Sequence, residues 1–136
     1  MLFEFTYNDR IFYDTLYIDR CFFSPCKFIF DIFKDSQGDI WIGGIESNVL
    51  CYLAKEKRFR SYPKLPVNSF HELTSGKVLG TCSHGLLLFD KNSGKVKTML
   101  DGYIVLDCAI LNNDIWIATA GDGLLKYNSH TRSAER

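Results

Sequence analysis

The chain has 136 residues, enough for one domain with a sizeable core, and its 16 Lys+Arg balance 16 Asp+Glu to a net charge of zero. Hydrophobic residues make up 46% and aromatics 15%, which excludes a disordered polar chain, and no basic stripe of the kind nucleic acids require is present. No run reaches the roughly 18 apolar residues of a membrane span, and Met1-Leu2-Phe3-Glu4-Phe5 lacks the basic region and long apolar core of a signal peptide.

In chain order, Leu2-Phe3-Glu4-Phe5 opens a strand, and Tyr7-Asn8-Asp9 is a tight turn into a second one that ends by residue 18. Residues 19–27 form a connection containing Ser24-Pro25. Phe28–Lys34 is apolar along much of its length and reads as an innermost strand with little solvent contact. Residues 31–62 then hold four short apolar runs, separated at Ser36-Gln37-Gly38-Asp39, at residues 43–48 and at residues 54–57. Asp, Asn, Ser and Gly tolerate turn dihedrals, and Ile40-Trp41-Ile42 suits a pleated, half-buried surface. This is a four-stranded antiparallel meander. Pro63 and Pro66 break the pattern and link onward.

The unit recurs. Trp41-Ile42-Gly43-Gly44 is followed by Val78-Leu79-Gly80-Thr81 and then by Trp116-Ile117-Ala118-Thr119, at spacings of 37 and 38 residues. The third strand keeps step as Leu50-Cys51-Tyr52, Leu87-Leu88-Phe89 and Leu125-Lys126-Tyr127, and seven residues beyond each aromatic come Phe59, Val96 and Ala134. Self-similarity at this period marks a repeat architecture. The fold class is therefore all-β: a β-propeller fragment of about three four-stranded antiparallel blades. Its parts are a half blade at 1–18, a blade at 28–62, a blade at 70–100 and an incomplete, three-stranded blade at 103–136. The remaining blades belong to the rest of a longer propeller or to another copy of the chain. Trp41 and Trp116, at one repeat position, are expected in the core between blades.

Asp35-x-x-Gly38-Asp39-Ile40-Trp41-Ile42-Gly43, followed by Leu50-x-Tyr52 and Phe59-x-x-Tyr62, resembles the two-component regulator propeller repeat. The second copy departs from it at Val78 and in a shorter first turn, and the third has Asn112-Asn113-Asp114 in place of the Gly turn. The resemblance implies the sensor region of a Bacteroidetes-type hybrid two-component histidine kinase, periplasmic, recognising a glycan or oligosaccharide without catalysis. A periplasmic chain needs an export signal, so either the true N-terminus lies outside this chain or the protein stays in the cytoplasm. A propeller scaffold for protein–protein contacts is the second reading. A lyase of the streptogramin-opening type, which shares only the fold level, is the third.

The second-to-third-strand loops emerge on one end of such blades, and loops on a rigid scaffold concentrate binding residues. Ser47, His84 and Asp122 are equivalent by repeat, and Glu46 adjoins the first of them. Glu46, His84 and Asp122 are the candidate ligand-binding residues. His71 and His84 have no partner at metal-ligand or acid–base motif spacing, so no catalytic residue, metal or cofactor is expected. The five cysteines are an odd number, which argues against a full disulfide framework. Cys51, Cys82 and Cys108 fall in or beside strands as small buried hydrophobes, and Cys21 and Cys26, flanking Pro25, leave one disulfide open.

Overall fold

The computed structural model describes residues 28–46, 48–128 and 130–136. The expected half blade at 1–18, Cys21, Cys26 and Ser47 lie outside the described residues. Twelve strands follow in chain order, with no helix among the described residues and hence none long and apolar enough to cross a membrane. They are β1 (Phe28–Lys34), β2 (Ile40–Ile45), β3 (Asn48–Leu53), β4 (Arg58–Lys64), β5 (Ser69–Thr74), β6 (Lys77–Cys82), β7 (Gly85–Asp90), β8 (Lys95–Asp101), β9 (Val105–Leu111), β10 (Asp114–Thr119), β11 (Leu124–Asn128) and β12 (Ser133–Glu135).

They form three antiparallel meanders in simple sequence order, β1–β4, β5–β8 and β9–β12. Of the first strands, β1 adjoins β5 and β5 adjoins β9, so each sheet turns its first strand inward and its fourth outward. The seven-residue spacing seen in sequence is the outer hairpin. Tyr52 opposes Phe59, Phe89 opposes Val96, and Tyr127 opposes Ala134. The last of these pairs makes the third blade four-stranded, not three-stranded as expected. Its fourth strand is short and polar at its ends, which hid it from a reading based on apolar runs.

Pro63, expected to end the pattern, sits inside β4. An outermost strand tolerates it, because a missing N–H on the free edge breaks no ladder bond.

Two apolar layers lie between the sheets. The first joins Trp41, Cys51 and Tyr62 of the first blade to Phe70, Val78 and Phe89 of the second. Trp41 stacks on Tyr62 at 5.5 Å and lies 5.8–5.9 Å from the rings of Phe89 and Phe70. Gly43 makes the approach possible, since a Cβ there would come within 2.7 Å of the Phe70 ring. The second layer is mainly aliphatic and joins Leu79, Leu86 and Leu88 to Cys108, Ile115 and Tyr127.

The register differs from the sequence alignment at one point. Ile40, Val78 and Ile115 oppose Tyr52, Phe89 and Tyr127 respectively. The residue standing where Trp41 and Trp116 stand is therefore Leu79, not Val78. The cause is the two-residue turn Ser83-His84 between Cys82 and Gly85, shorter than its counterparts. A one-residue slip moves a side chain to the opposite face, so Val78 faces the first blade and Leu79 the third.

Trp116 is the second correction. It keeps Trp41's register, yet Trp41 is fully buried and Trp116 is 36% exposed. Trp41 faces the second blade, whereas no described blade lies over Trp116. The expectation of low solvent contact along β1 fails for the same reason on the other side, where Phe28, Phe30 and Ile32 are exposed.

Candidate functional site

At one end of the three sheets are the β2–β3, β6–β7 and β10–β11 loops and the β4–β5 and β8–β9 links. Backbone bonds tie loop to link: Val67 N–H donates to Gly44 C=O at 2.9 Å, Gly102 N–H to His84 C=O at 2.9 Å, and Ala120 N–H to Ile104 C=O at 2.9 Å. All three candidate residues stand on this end. Glu46 is exposed, with a left-handed φ of 61°. His84 is exposed, with Nδ1 3.2 Å from Ser83 Oγ. Asp122 accepts from Arg136 at 3.1 Å, and its N–H donates to Thr119 Oγ1 at 3.1 Å. His84 and Asp122 bond within different loops, so the shared end is what the fold supplies.

A second polar group lies nearer the axis on the same end, and sequence spacing missed it. Ser69 Oγ is 2.7 Å from Thr81 Oγ1, 3.0 Å from His71 Nε2 and 3.5 Å from Asp107 Oδ1. His71 Nε2 is 2.9 Å from Asp107 Oδ1 on the next blade, and the His71 side chain is three-quarters buried. Asp31, Ser69 and Asp107 oppose Gly43, Thr81 and Ala118, which makes them register equivalents on the three inner strands. Asp31 likewise reaches the next blade, where Oδ2 accepts from Phe70 N–H at 2.8 Å. The missing signal was a polar residue recurring at one position of an otherwise apolar inner strand.

Ser, His and Asp in contact invite a catalytic reading, and the geometry argues against it. In a nucleophile–base–orienter chain the hydroxyl and the carboxylate bond different ring nitrogens. Here both face Nε2, and a nitrogen 2.9 Å from a carboxylate must carry the proton, leaving no lone pair to take one from Ser69. The cluster can bind a polar ligand; it is not arranged to activate Ser69. Among the described residues no group of three His, Cys, Asp or Glu is placed to hold a metal ion.

The opposite end is a structural clamp. The β1–β2 turn folds on Asp35, whose Oδ1 accepts from the N–H groups of Gln37 and Asp39 at 3.0 Å each. Asp35 Oδ2 takes the Trp41 indole N–H at 3.0 Å. Lys91, from the β7–β8 turn of the second blade, donates to Asp35 Oδ2 and Asp39 Oδ2, each at 2.7 Å. Burial works to raise the Asp35 pKa, but the bonds from Lys91, Trp41 and Asp39 and the Lys91 charge together hold it below the usual carboxylate value. Burial likewise works to lower Lys91, and its two carboxylate partners hold it above the usual ammonium value. This explains the Asp35-x-x-Gly38-Asp39-x-Trp41 pattern: the carboxylates shape the turn, seat the indole and receive the next blade. Lys91 is the partner that spacing could not reveal.

Cys51, Cys82 and Cys108 are free and buried, as expected. Burial pushes the thiols of Cys51 and Cys108 up to about 12, which makes them inert at neutral pH.

Residues 24–46 match the family described as two component regulator propeller. No curated protein matches the chain. Among solved structures, the extracellular domain of a one component system from B. thetaiotaomicron is similar over 87% of this chain, with a TM-score of 0.68 and 21% identity. The chain spans 17% of the length of that structure. With its sheets in propeller order and the Asp35–Trp41 turn inside the matched segment, the chain has an all-β propeller-type fold in which residues 24–46 are similar to the two component regulator propeller repeat.

Proposed function

We propose that this chain is part of the ligand-recognition region of an extracytoplasmic signalling protein, and that it recognises a glycan or oligosaccharide without transforming it. The repeat family and the extracellular neighbour support a sensory role. The observation that carries the ligand class is the polar cluster Ser69, His71, Thr81 and Asp107, which spans two blades on the end that also bears Glu46, His84 and Asp122. Hydroxyls, an imidazole and carboxylates at one rim match the alternating donors and acceptors of a polyol. A site spread over two blades also couples occupancy to the relative placement of those blades, which is what a sensor must transmit.

Calorimetry with a glycan panel tests the reading. A binding saccharide should lose affinity in the combined Glu46→Ala, His84→Ala, Asp122→Ala variant while the fold is retained, and it should be recovered chemically unchanged. Affinity that is indifferent to these three substitutions and to His71→Ala moves the site off this end. A saccharide recovered cleaved or opened replaces the sensor with an enzyme.

A further inference from the structure

The two junctions between blades are fastened differently. At the first, side-chain bonds cross at both ends of the sheets. On the clamp end Lys91 reaches Asp35 and Asp39, and Glu72 of the second blade accepts from the Ser36 N–H at 2.8 Å and from its hydroxyl at 2.5 Å. On the loop end Asp31 accepts from the Phe70 N–H, and from the outermost strand β4 the Tyr62 hydroxyl donates to Asp90 C=O at 3.1 Å.

The second junction is tied at the loop end, by His71 to Asp107 at 2.9 Å, Ser69 to Asp107 at 3.5 Å and Asn68 Nδ2 to Val105 C=O at 3.3 Å. At its clamp end the carboxylates are missing. Lys77 stands two residues before Leu79, where Asp39 stands two before Trp41, and it pairs with Asp90 of its own blade. The β5–β6 turn is only Ser75-Gly76, too short to supply a counterpart of Asp35. The packing differs in the same sense, with the rings of Trp41, Tyr62, Phe70 and Phe89 at the first junction and a mainly aliphatic layer at the second. The first and third blades each have one described neighbour, so the contrast lies in the junctions themselves.

We infer that the second junction is the one that opens, the third blade moving against a rigid pair made by the first and second, with the His71–Asp107 contact as its latch. Sparsely tied units open at a lower free energy than the whole molecule. Interfaces with two discrete arrangements are what turn a local contact into a displacement. The latch is part of the polar cluster assigned above to ligand recognition. Its use in sensing rests on that reading, whereas the opening does not.

The chain carries its own reporters. Cys51 and Cys82 pack in the first junction and Cys108 in the second, and all three are free and buried. Native-state reaction with an aqueous thiol reagent, followed at each position by peptide mapping, reads the junctions separately. All three thiols should react far more slowly than in the unfolded chain, Cys108 ahead of the other two. His71→Ala should speed Cys108 about tenfold, as loss of a charge-assisted bond implies, and leave Cys51 and Cys82 unchanged. Lys91→Met should speed Cys51 and Cys82 and leave Cys108 unchanged. Each thiol is compared with itself, so differences in exposure between positions cancel. If His71→Ala does not fold, His71→Leu keeps the bulk and removes the bond; if Lys91→Met does not, Ser36→Ala weakens the first junction through Glu72. Cys108 no faster than Cys51 in the wild type, a His71 variant that leaves Cys108 unchanged, or either substitution speeding all three thiols alike overturns the inference. A glycan panel in which nothing binds removes the sensory reading and leaves these rates as they are.

Discussion

Lys91 Nζ lies 2.7 Å from Asp35 Oδ2, and this one contact fastens the outer turn of the second blade to the inner turn of the first. Both side chains are almost wholly buried, at 7% and 1% exposure. Removing one partner of such a pair leaves a buried charge uncompensated. Lys91→Met should therefore destabilise the chain by about 3–5 kcal/mol at neutral pH. Urea titration of both proteins measures it, and a cost near that of an ordinary surface change would mean that the clamp contributes little.

The same clamp sets a pH dependence. The Asp35 pKa is depressed in the folded chain, so its contribution is present above the unfolded value and is lost as pH falls through the lower folded value. Lys91 is raised, so its contribution is complete below the unfolded value and is lost only as pH rises through the still higher folded one. In Lys91→Met, Asp35 keeps its burial and loses its cation, so it binds a proton more readily. The stability gap between wild type and variant should shrink from neutral pH toward about pH 4. A gap independent of pH would show that the charge is not its origin.

Trp41 and Trp116 share a register and should differ in cost. Trp41→Ala removes a fully buried side chain and should cost roughly 3–5 kcal/mol. Trp116→Ala should cost less than about 1 kcal/mol. Trp41→Phe isolates the indole bond to Asp35 and should cost about 1–3 kcal/mol. Equal costs for the two alanine variants would contradict the uncovered face.

The buried thiols give a chemical test. Cys51, Cys82 and Cys108 should resist an aqueous thiol reagent in the native state and react on unfolding. Peptide mapping of the three positions can verify this. Rapid modification of Cys51 or Cys108 would show that the blades part more readily than their packing implies.

The repeat, its strand order and the outer hairpin were legible in sequence because they are local. Alternation of side chains and the turn residues between strands report a meander without knowledge of its neighbours. The seven-residue spacing from Tyr52 to Phe59 is a hairpin, and a hairpin is written in consecutive residues. The candidate rim was legible to the same extent, since strand order alone places Glu46, His84 and Asp122 on one end. What lies between blades was not legible. Whether a repeated tryptophan is buried depends on the blade beside it, so Trp41 and Trp116 part company despite one position in the motif. One residue fewer in the Ser83-His84 turn exchanges the faces of Val78 and Leu79. Lys91 meets Asp35 across 56 residues of sequence, and Ser69, His71 and Asp107 converge only when two inner strands stand side by side. Burial and side-chain partnership are properties of two surfaces, and the sequence of one repeat specifies only its own.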